Sequence, residues 1–286
     1  MKVLITVPHI FSPGSNSLYS SNNEEKRDAK KLALRRATIE NINRHNKDAW
    51  IHTPRKEDGV VVTKKIEASN KFDVNIQLYT KKGKNLCGEL PKNEKLKIIE
   101  CNDIEDINIA QHASRMLLEQ AENYDILAYI EDDIVIEDAE FFLKIHYLQR
   151  ILGDEYTVVP HRCEYMQDFG EVILSGDPET KRKDLFWNTG ESREIKWNEK
   201  NIELYRATNP HSGCFFINSK QGVKLRECWK KRDWKSPFML CGPLEHAASG
   251  RIIEAIKIMK TNPCDYRFLK VIHCDELWRR HMFTDE

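Results

Sequence analysis

Residues 2–7, Lys-Val-Leu-Ile-Thr-Val, form a β-branched apolar run closed by Pro8, the pattern of a buried parallel strand. A polar loop over 12–21 follows. Ser21-Asn-Asn-Glu24 has capping-box spacing and opens a helix that runs to about residue 45, with Leu32, Ala33, Ala37 and Ile39 as its sparse apolar positions. Strands are predicted at 74–79 and 96–101. A helix over 107–122 comes next, with Ile109, Ala113, Met116, Leu117 and Gln120 on helical spacing. The run Ile126-Leu-Ala-Tyr-Ile130 then ends abruptly in Glu131-Asp132-Asp133, and a helix over 139–152 and a strand over 157–160 complete this half. Strands alternating with helices predict an α/β fold with an open, mostly parallel central sheet flanked by helices, which binds ligands at the carboxyl ends of its strands.

The pattern changes beyond this point. Residues 171–206 are richer in charge and tryptophan, begin with a hairpin-like Glu171-Val-Ile-Leu-Ser-Gly-Asp177, and carry Trp187 and Trp197 in a loop over 177–200. Weak periodicity there predicts a variable, surface-facing insertion. A strand over 214–218 and a helix over 220–231 follow. Leu240-Cys-Gly-Pro-Leu-Glu245 opens a final helix with Pro243 at its first position, Glu245 in its first turn, and Leu244, Ala248, Ile252, Ala255, Ile256 and Met259 as its apolar face. The sequence holds no internal repeat and no low-complexity tract.

Composition narrows the class. The 286 residues are 40% apolar and 31% charged, enough for a core that buries roughly three quarters of the unfolded chain's surface, which excludes disorder. Lys and Arg (45) balance Asp and Glu (45), so no net field draws the chain to nucleic acid or to an anionic membrane, and an anionic partner is expected to be small and locally held. No stretch reaches the ~18 apolar residues of a transmembrane helix, and the opening run, interrupted by Pro8 and Pro13, is too short for a signal peptide, so the mature chain is expected to start near Met1. Eight cysteines without a CxxC pair read as buried reduced thiols, with a zinc site or disulfide framework as the alternative; a cytoplasmic address is the expectation.

Charge does matter locally. Glu131-Asp132-Asp133 places three like charges directly after a buried strand, which is costly unless a cation offsets them. A solvated acidic turn is one reading. The position at a strand end favours a hard divalent ion, Mg or Mn, which takes one or two carboxylates and completes its shell from phosphate oxygens.

An apolar strand running into Glu131-Asp132-Asp133 resembles the acidic DXD signature of GT-A fold glycosyltransferases, which transfer sugars from nucleotide-diphosphosugars with the help of a divalent cation. The likeness extends in order along most of the chain. Val7-Pro8-His9 stands where such enzymes cradle the base, and the helix over 107–122 stands where theirs precedes the signature. His211-Ser-Gly-Cys-Phe-Phe-Ile217 is similar to the glycine-containing strand lining their sugar pocket. Gly242-Pro-Leu-Glu245 sits where they carry an acidic residue at a helix start, and Val271-Ile-His-Cys-Asp275 is similar to the late histidine completing the metal shell. Two departures are visible: the first acid is Glu131, and Gln111-His112 stands where many members show an Ala-Arg-Asn run.

The resemblance implies a single GT-A domain over 1–286, with 1–160 as the nucleotide-sugar and metal half and 161–286 as the acceptor-binding and catalytic half. It implies that Asp133 holds Mn2+ or Mg2+, that Glu131 does so directly or through water, and that His273 adds a neutral imidazole nitrogen. Asp132 would face the ribose, Pro8, His9 and Asp103 would contact base or ribose, and Ser212 and Gly213 would line the donor pocket. Glu245 would be the catalytic base that accepts the acceptor's hydroxyl proton. Plainer readings stand beside these: a packed histidine for His273, a satisfied loop histidine for His9, a helix cap for Asp103, and ordinary helix capping for Glu245. His246 reads as a bystander or acceptor contact.

Lys26, Arg27, Lys30, Lys31, Arg35 and Arg36 form a basic cluster, read either as a solvated helix face or as a peripheral contact to anionic lipid or an acidic acceptor. Trp187 and Trp197 either form a platform for an acceptor sugar or anchor the insertion. The expected activity is transfer from a UDP- or GDP-sugar to a hydroxyl acceptor in glycan or polysaccharide synthesis. Alternatives are a non-catalytic sugar-nucleotide or glycan-binding module and a metal-dependent phosphotransfer enzyme. Phosphoryl transfer through a strand-end aspartate is disfavoured because the first acid is Glu131, and nucleotidyl transfer because the first strand lacks a glycine-rich loop.

Overall fold

The computed structural model describes residues 1–12, 24–55, 59–66, 72–174, 190–207, 211–230, 242–253 and 255–274. The predicted capping-box residues 21–23, Trp187, Cys241 and Asp275 lie outside them.

Strand β1 (Lys2–Pro8) leads to α1 (Arg27–Arg35), which continues through a π turn (Arg36–Glu40) into α2 (Asn41–His45). The ribbon of β2 (Ala49–Pro54) and β3 (Val61–Ile66) precedes β4 (Asp73–Thr80), β5 (Leu96–Glu100) and α3 (Ile109–Leu118). Next come β6 (Ile126–Ile130), β7 (Ile134–Val135), α4 (Phe141–Leu152), β8 (Tyr156–Val158), β9 (His161–Met166) and β10 (Gly170–Leu174). The later elements are β11 (Ser192–Trp197), β12 (Lys200–Arg206), β13 (Cys214–Asn218), α5 (Ser219–Lys230), α6 (Pro243–Glu245), β14 (Lys257–Thr261) and β15 (Lys270–His273).

The central sheet has the order β13-β6-β1-β4-β5, parallel except for β13. The expected α/β class with a mostly parallel sheet between helices is therefore present. Strand alternation splits its core into two layers. Val3, Ile5 and Val7 of β1, Ile126, Ala128 and Ile130 of β6 and Phe216 of β13 face α1, α2 and α4 through Leu34, Ile42, Phe141, Phe142 and Ile145. Leu4, Leu127, Tyr129, Phe215 and Ile217 point the other way, against Ile109, Ala113 and Leu117 of α3, Leu225 of α5, and Ala247 and Ala248. Close approach of α5 needs Gly222, where a Cβ would lie 2.4 Å from Leu127 Cδ1.

The strand order makes the crevice. After β1 the chain adds β4 and β5 on one side, and then returns to place β6 on the other. The carboxyl ends of β1 and β6 thus flank a topological switch point, where open α/β sheets bind ligands. Pro8-His9 and Glu131-Asp132-Asp133 leave the sheet there.

Two small sheets, β10-β9-β15-β7 and β11-β12-β14-β8, extend the fold on the side of the later residues. They change two expectations. Residues 192–206 form a regular antiparallel hairpin, turned at Asn198 (φ 46) and Glu199 (φ 67), rather than a variable loop. Trp197 packs edge-on against Tyr147 and Phe268, with ring centroids 5.0 and 5.7 Å away, so it anchors the hairpin to the core. The helix predicted from Pro243 is only α6 plus a π turn (His246–Gly250). Gly250 allows this tight packing, since a Cβ there would sit 2.8 Å from His246 Nδ1. Residues 257–261, the end of the predicted helix, are strand β14. Ile252, Ile256 and Met259 are buried all the same, which is why a helical period described them.

No helix among the described residues is long and apolar enough to cross a membrane. The seven described cysteines are free thiols.

Candidate active site

His9 follows β1 and is 2% exposed. Its Nε2 accepts the Leu86 backbone N–H at 3.1 Å, so the ring proton sits on Nδ1, which lies 2.5 Å from Asp132 Oδ2. One neutral tautomer thus ties β1 to the acidic turn across the switch point. Asp132 keeps the more open position, its side chain 17% exposed, while Glu131 and Asp133 are both buried.

Asp133 is the meeting point of the cluster. Its Oδ2 lies 3.6 Å from His273 Nε2 at the end of β15 and 3.3 Å from Lys30 Nζ on α1. Its Oδ1 is buried and has no hydrogen-bond partner among the described residues. His273 Nδ1 is 2.6 Å from the buried carboxylate of Glu164 on β9. Parallel pairing of β15 with β9 and antiparallel pairing with β7 hold this arrangement in register. The Glu164 carboxylate accepts a hydrogen bond from His273 Nδ1–H and so fixes the ring with Nε2 facing Asp133, an outer-sphere arrangement of the kind that orients metal-ligating histidines.

Glu131 is held from the other side. Its backbone N–H donates to Gly213 O at 2.8 Å, and a Cβ on Gly213 (φ +65) would come 3.1 Å from Glu131 Oε2 and 3.0 Å from Ile134. Glycine at 213 is therefore required by both backbone angle and space. Ser212 is fully buried and donates its hydroxyl to Pro160 O at 2.6 Å, fixing the loop. Beneath it, Lys260 Nζ donates to His211 O at 2.9 Å, and His211 Nε2 faces Glu131 Oε1 at 4.0 Å and Arg162 at 3.4 Å. Burial first, then the Arg162 and Lys260 charges, keeps His211 well below its ordinary pKa and hence neutral. Burial, followed by the Arg162 charge, lowers Lys260 to about 7.

Glu245 belongs to the same electrostatic neighbourhood. Burial raises the Tyr129 phenol well above its usual range, and the charges of Glu131, Asp132, Glu245 and Asp133 add to the effect in that order. The carboxylate of Glu245 turns back over Gly242, where a Cβ would lie 2.4 Å from Oε2. Asp103 is exposed on the turn after β5, and β1 and β4 separate that edge strand from β6. Pro8 is buried at the end of β1.

The structure thus brings together His9, Glu131, Asp132, Asp133, Ser212, Gly213 and His273, and leaves Asp103 at the sheet edge. Glu164 and Lys30 are members that the motif reading did not assign. Lys30 lies on the buried stripe of α1 with Ala33 and Leu34, so helical spacing marks it; Glu164 carries no comparable signal. The rest of the basic cluster is partly paired on the surface: Arg27 with Glu24 and Glu89, Lys31 with Glu89, and Arg36 with Glu137.

Among the described residues no three acidic, histidine or cysteine side chains gather to ligate one ion. The assembled pair is Asp133 with His273. One hard oxygen donor and one imidazole nitrogen, with an unpartnered buried oxygen alongside, fit a divalent ion that draws its remaining ligands from phosphate and water. Replacing Glu164 by Gln keeps a hydrogen-bond acceptor but removes the charge behind His273. Mn2+ affinity measured by calorimetry is expected to fall about tenfold, at the low end of what outer-sphere losses cost, and unchanged affinity would remove Glu164 from the site.

No protein-family model matches the sequence, and no curated protein matches it. Among solved structures, the fold is similar to that of GalNAc-T7, crystallised with UDP, GalNAc and Mn2+, at 12% identity and a TM-score of 0.46, over 95% of this chain and 43% of that one. The chain spans less than half the length of that structure.

Proposed function

We propose that the protein is a metal-dependent glycosyltransferase of the GT-A type that moves a sugar from a UDP- or GDP-sugar to a hydroxyl acceptor. The observation that carries this reading is the acidic turn at the switch point, tied to β1 through His9 and facing His273 through Asp133. On this reading Asp133 and His273 hold Mn2+ or Mg2+, with Glu131 at the rear of the cradle. Such an ion, when bound, would supply charge neutralisation to the donor's diphosphate as it leaves.

The chain's own residues do the rest. His9 fixes the Asp132 carboxylate toward the more open side of the turn, where a ribose hydroxyl donates to it. Gly213, at positive φ, lets Glu131 and Ile134 pack against its backbone and so holds the Glu131 side of the turn in place. Glu245 takes the proton from the attacking hydroxyl as the new glycosidic bond forms and the bond to the diphosphate breaks. On this reading the site draws on both halves of the sequence, His9, Asp132 and Asp133 from 1–160 and Glu164, Gly213 and His273 from 161–286, with Glu245 as the proposed base.

One observation favours a second reading. Glu245 turns back over Gly242 at the start of its short helix, as a purely capping residue would, and a protein with only that role for Glu245 would bind sugar-nucleotide without turnover. The experiment is release of free nucleotide from a panel of UDP- and GDP-sugars in Mn2+. Release from at least one donor supports transfer. Binding without release from any donor, with a hydroxyl acceptor panel present, favours the binding module.

A further inference from the structure

Lys30 lies one helical turn before Leu34 on the face of α1 that packs on the sheet, and only 8% of it is exposed. Its neighbours on that stripe, Ala33 and Leu34, are apolar core residues. An ammonium is costly in such a place unless opposite charge receives it. Lys30 Nζ lies 3.3 Å from Asp133 Oδ2 and 4.0 Å from Asp132 Oδ1. The same Asp133 oxygen faces His273 Nε2 at 3.6 Å. The Lys30 ammonium and the His273 imidazole therefore converge on one carboxylate oxygen, so Lys30 and a cation shared by Asp133 and His273 would contend for it.

We infer that Lys30 is a built-in counter-cation of the acidic turn, which offsets the charge of Asp133 in the cation-free protein and must leave Asp133 before a divalent ion can bind. The inference rests on the reading of Asp133 and His273 as a cation site. It adds a positioning residue with a definite thermodynamic role. Because Lys30 and the ion compete for one carboxylate, the apparent ion affinity is reduced by the fraction of molecules in which Lys30 has moved away. Long-stemmed lysine suits this exchange, since the ammonium can rotate out while its methylenes stay packed. Arginine would hold the carboxylate in a two-point fork and release it less readily.

The test is Mn2+ titration into the full-length protein without nucleotide, followed by calorimetry, for the wild type, Lys30→Met and Lys30→Arg. Lys30→Met is expected to bind Mn2+ about tenfold or more tightly than the wild type, and Lys30→Arg no more tightly than the wild type. Thermal melts give a second readout. Lys30→Met should melt lower than the wild type in EDTA and gain more from Mn2+, because without Lys30 the buried carboxylates depend on the metal. If Lys30→Met folds poorly without metal, recovery of folding by Mn2+ supports the inference and failure to recover contradicts it. A purely structural Lys30 would lower stability without raising Mn2+ affinity. Equal Mn2+ affinity in the wild type and Lys30→Met overturns the role of Lys30 and leaves the cation site standing. Absence of Mn2+ binding in all three proteins overturns both.

Discussion

Replacing Asp133 by Asn is expected to abolish divalent-dependent nucleotide binding while the fold persists. The change is isosteric, so the packing of the turn against β15 is retained, and what disappears is the negative charge on which His273 and Lys30 converge. Loss of a residue one step removed from a metal typically costs 10–100-fold in affinity, and loss of the central ligand costs more. Calorimetry of UDP and GDP in Mn2+ is expected to show no binding to the variant at concentrations that saturate the wild type. The variant also weakens the ion pair between the Lys30 ammonium and the turn, so melting should fall by a few degrees, on the order of 1–3 kcal/mol for a weakened buried charge pair. Retained metal-dependent affinity would sink the assignment of Asp133.

Glu245→Gln separates chemistry from binding. On the proposed mechanism the carboxylate is needed only when the acceptor hydroxyl loses its proton, so the amide should leave donor affinity in place and lower kcat by roughly 10²–10⁴. The turn back over Gly242 gives the same side chain a structural task at the helix start. Glutamine keeps part of that task, so a drop in kcat with unchanged melting points to the proton transfer. Unchanged turnover, with any loss confined to stability, would leave Glu245 as a cap.

Much of this architecture was legible because apolar periodicity and burial coincide in α/β sheets. The stretches at 2–7, 74–79, 96–101, 126–130 and 214–218 became the five strands of the central sheet. In 2–7, 126–130 and 214–218 odd and even residues divide between two core layers, which is the reason they read as nearly continuous apolar runs. The stretch 74–79 instead alternates, with Asn75 and Gln77 between Val74, Ile76 and Leu78. The acidic turn was legible for the same reason, as charge placed against a fully buried strand. The hairpin of β11 and β12 was hidden because its turn uses Asn198 and Glu199 in left-handed conformations, and glutamate is not a residue that marks such a turn. Strand β14 was hidden because Ile256 and Met259 continue the helical spacing of Ala248 and Ile252 by coincidence. Glu164 was out of reach for a different reason: its importance comes from strand pairing between β9 and β15, which joins residues more than a hundred positions apart. Lys30 was read as surface charge although its spacing relative to Ala33 and Leu34 places it on the buried stripe.

The neutral total charge of the chain therefore conceals a local arrangement in which Glu131, Asp132, Asp133 and Glu164 are set against Lys30, Arg162 and Lys260 around three histidines. That arrangement lies at the switch point of the central sheet, and the central claim is that a nucleotide and its cation bind there together. Titration of UDP and GDP into the wild-type protein, in Mn2+ and again in EDTA, tests it most directly. Saturable binding of at least one nucleotide in Mn2+ that vanishes in EDTA is the predicted result; equal binding in EDTA, or no binding of either nucleotide in Mn2+, would contradict it.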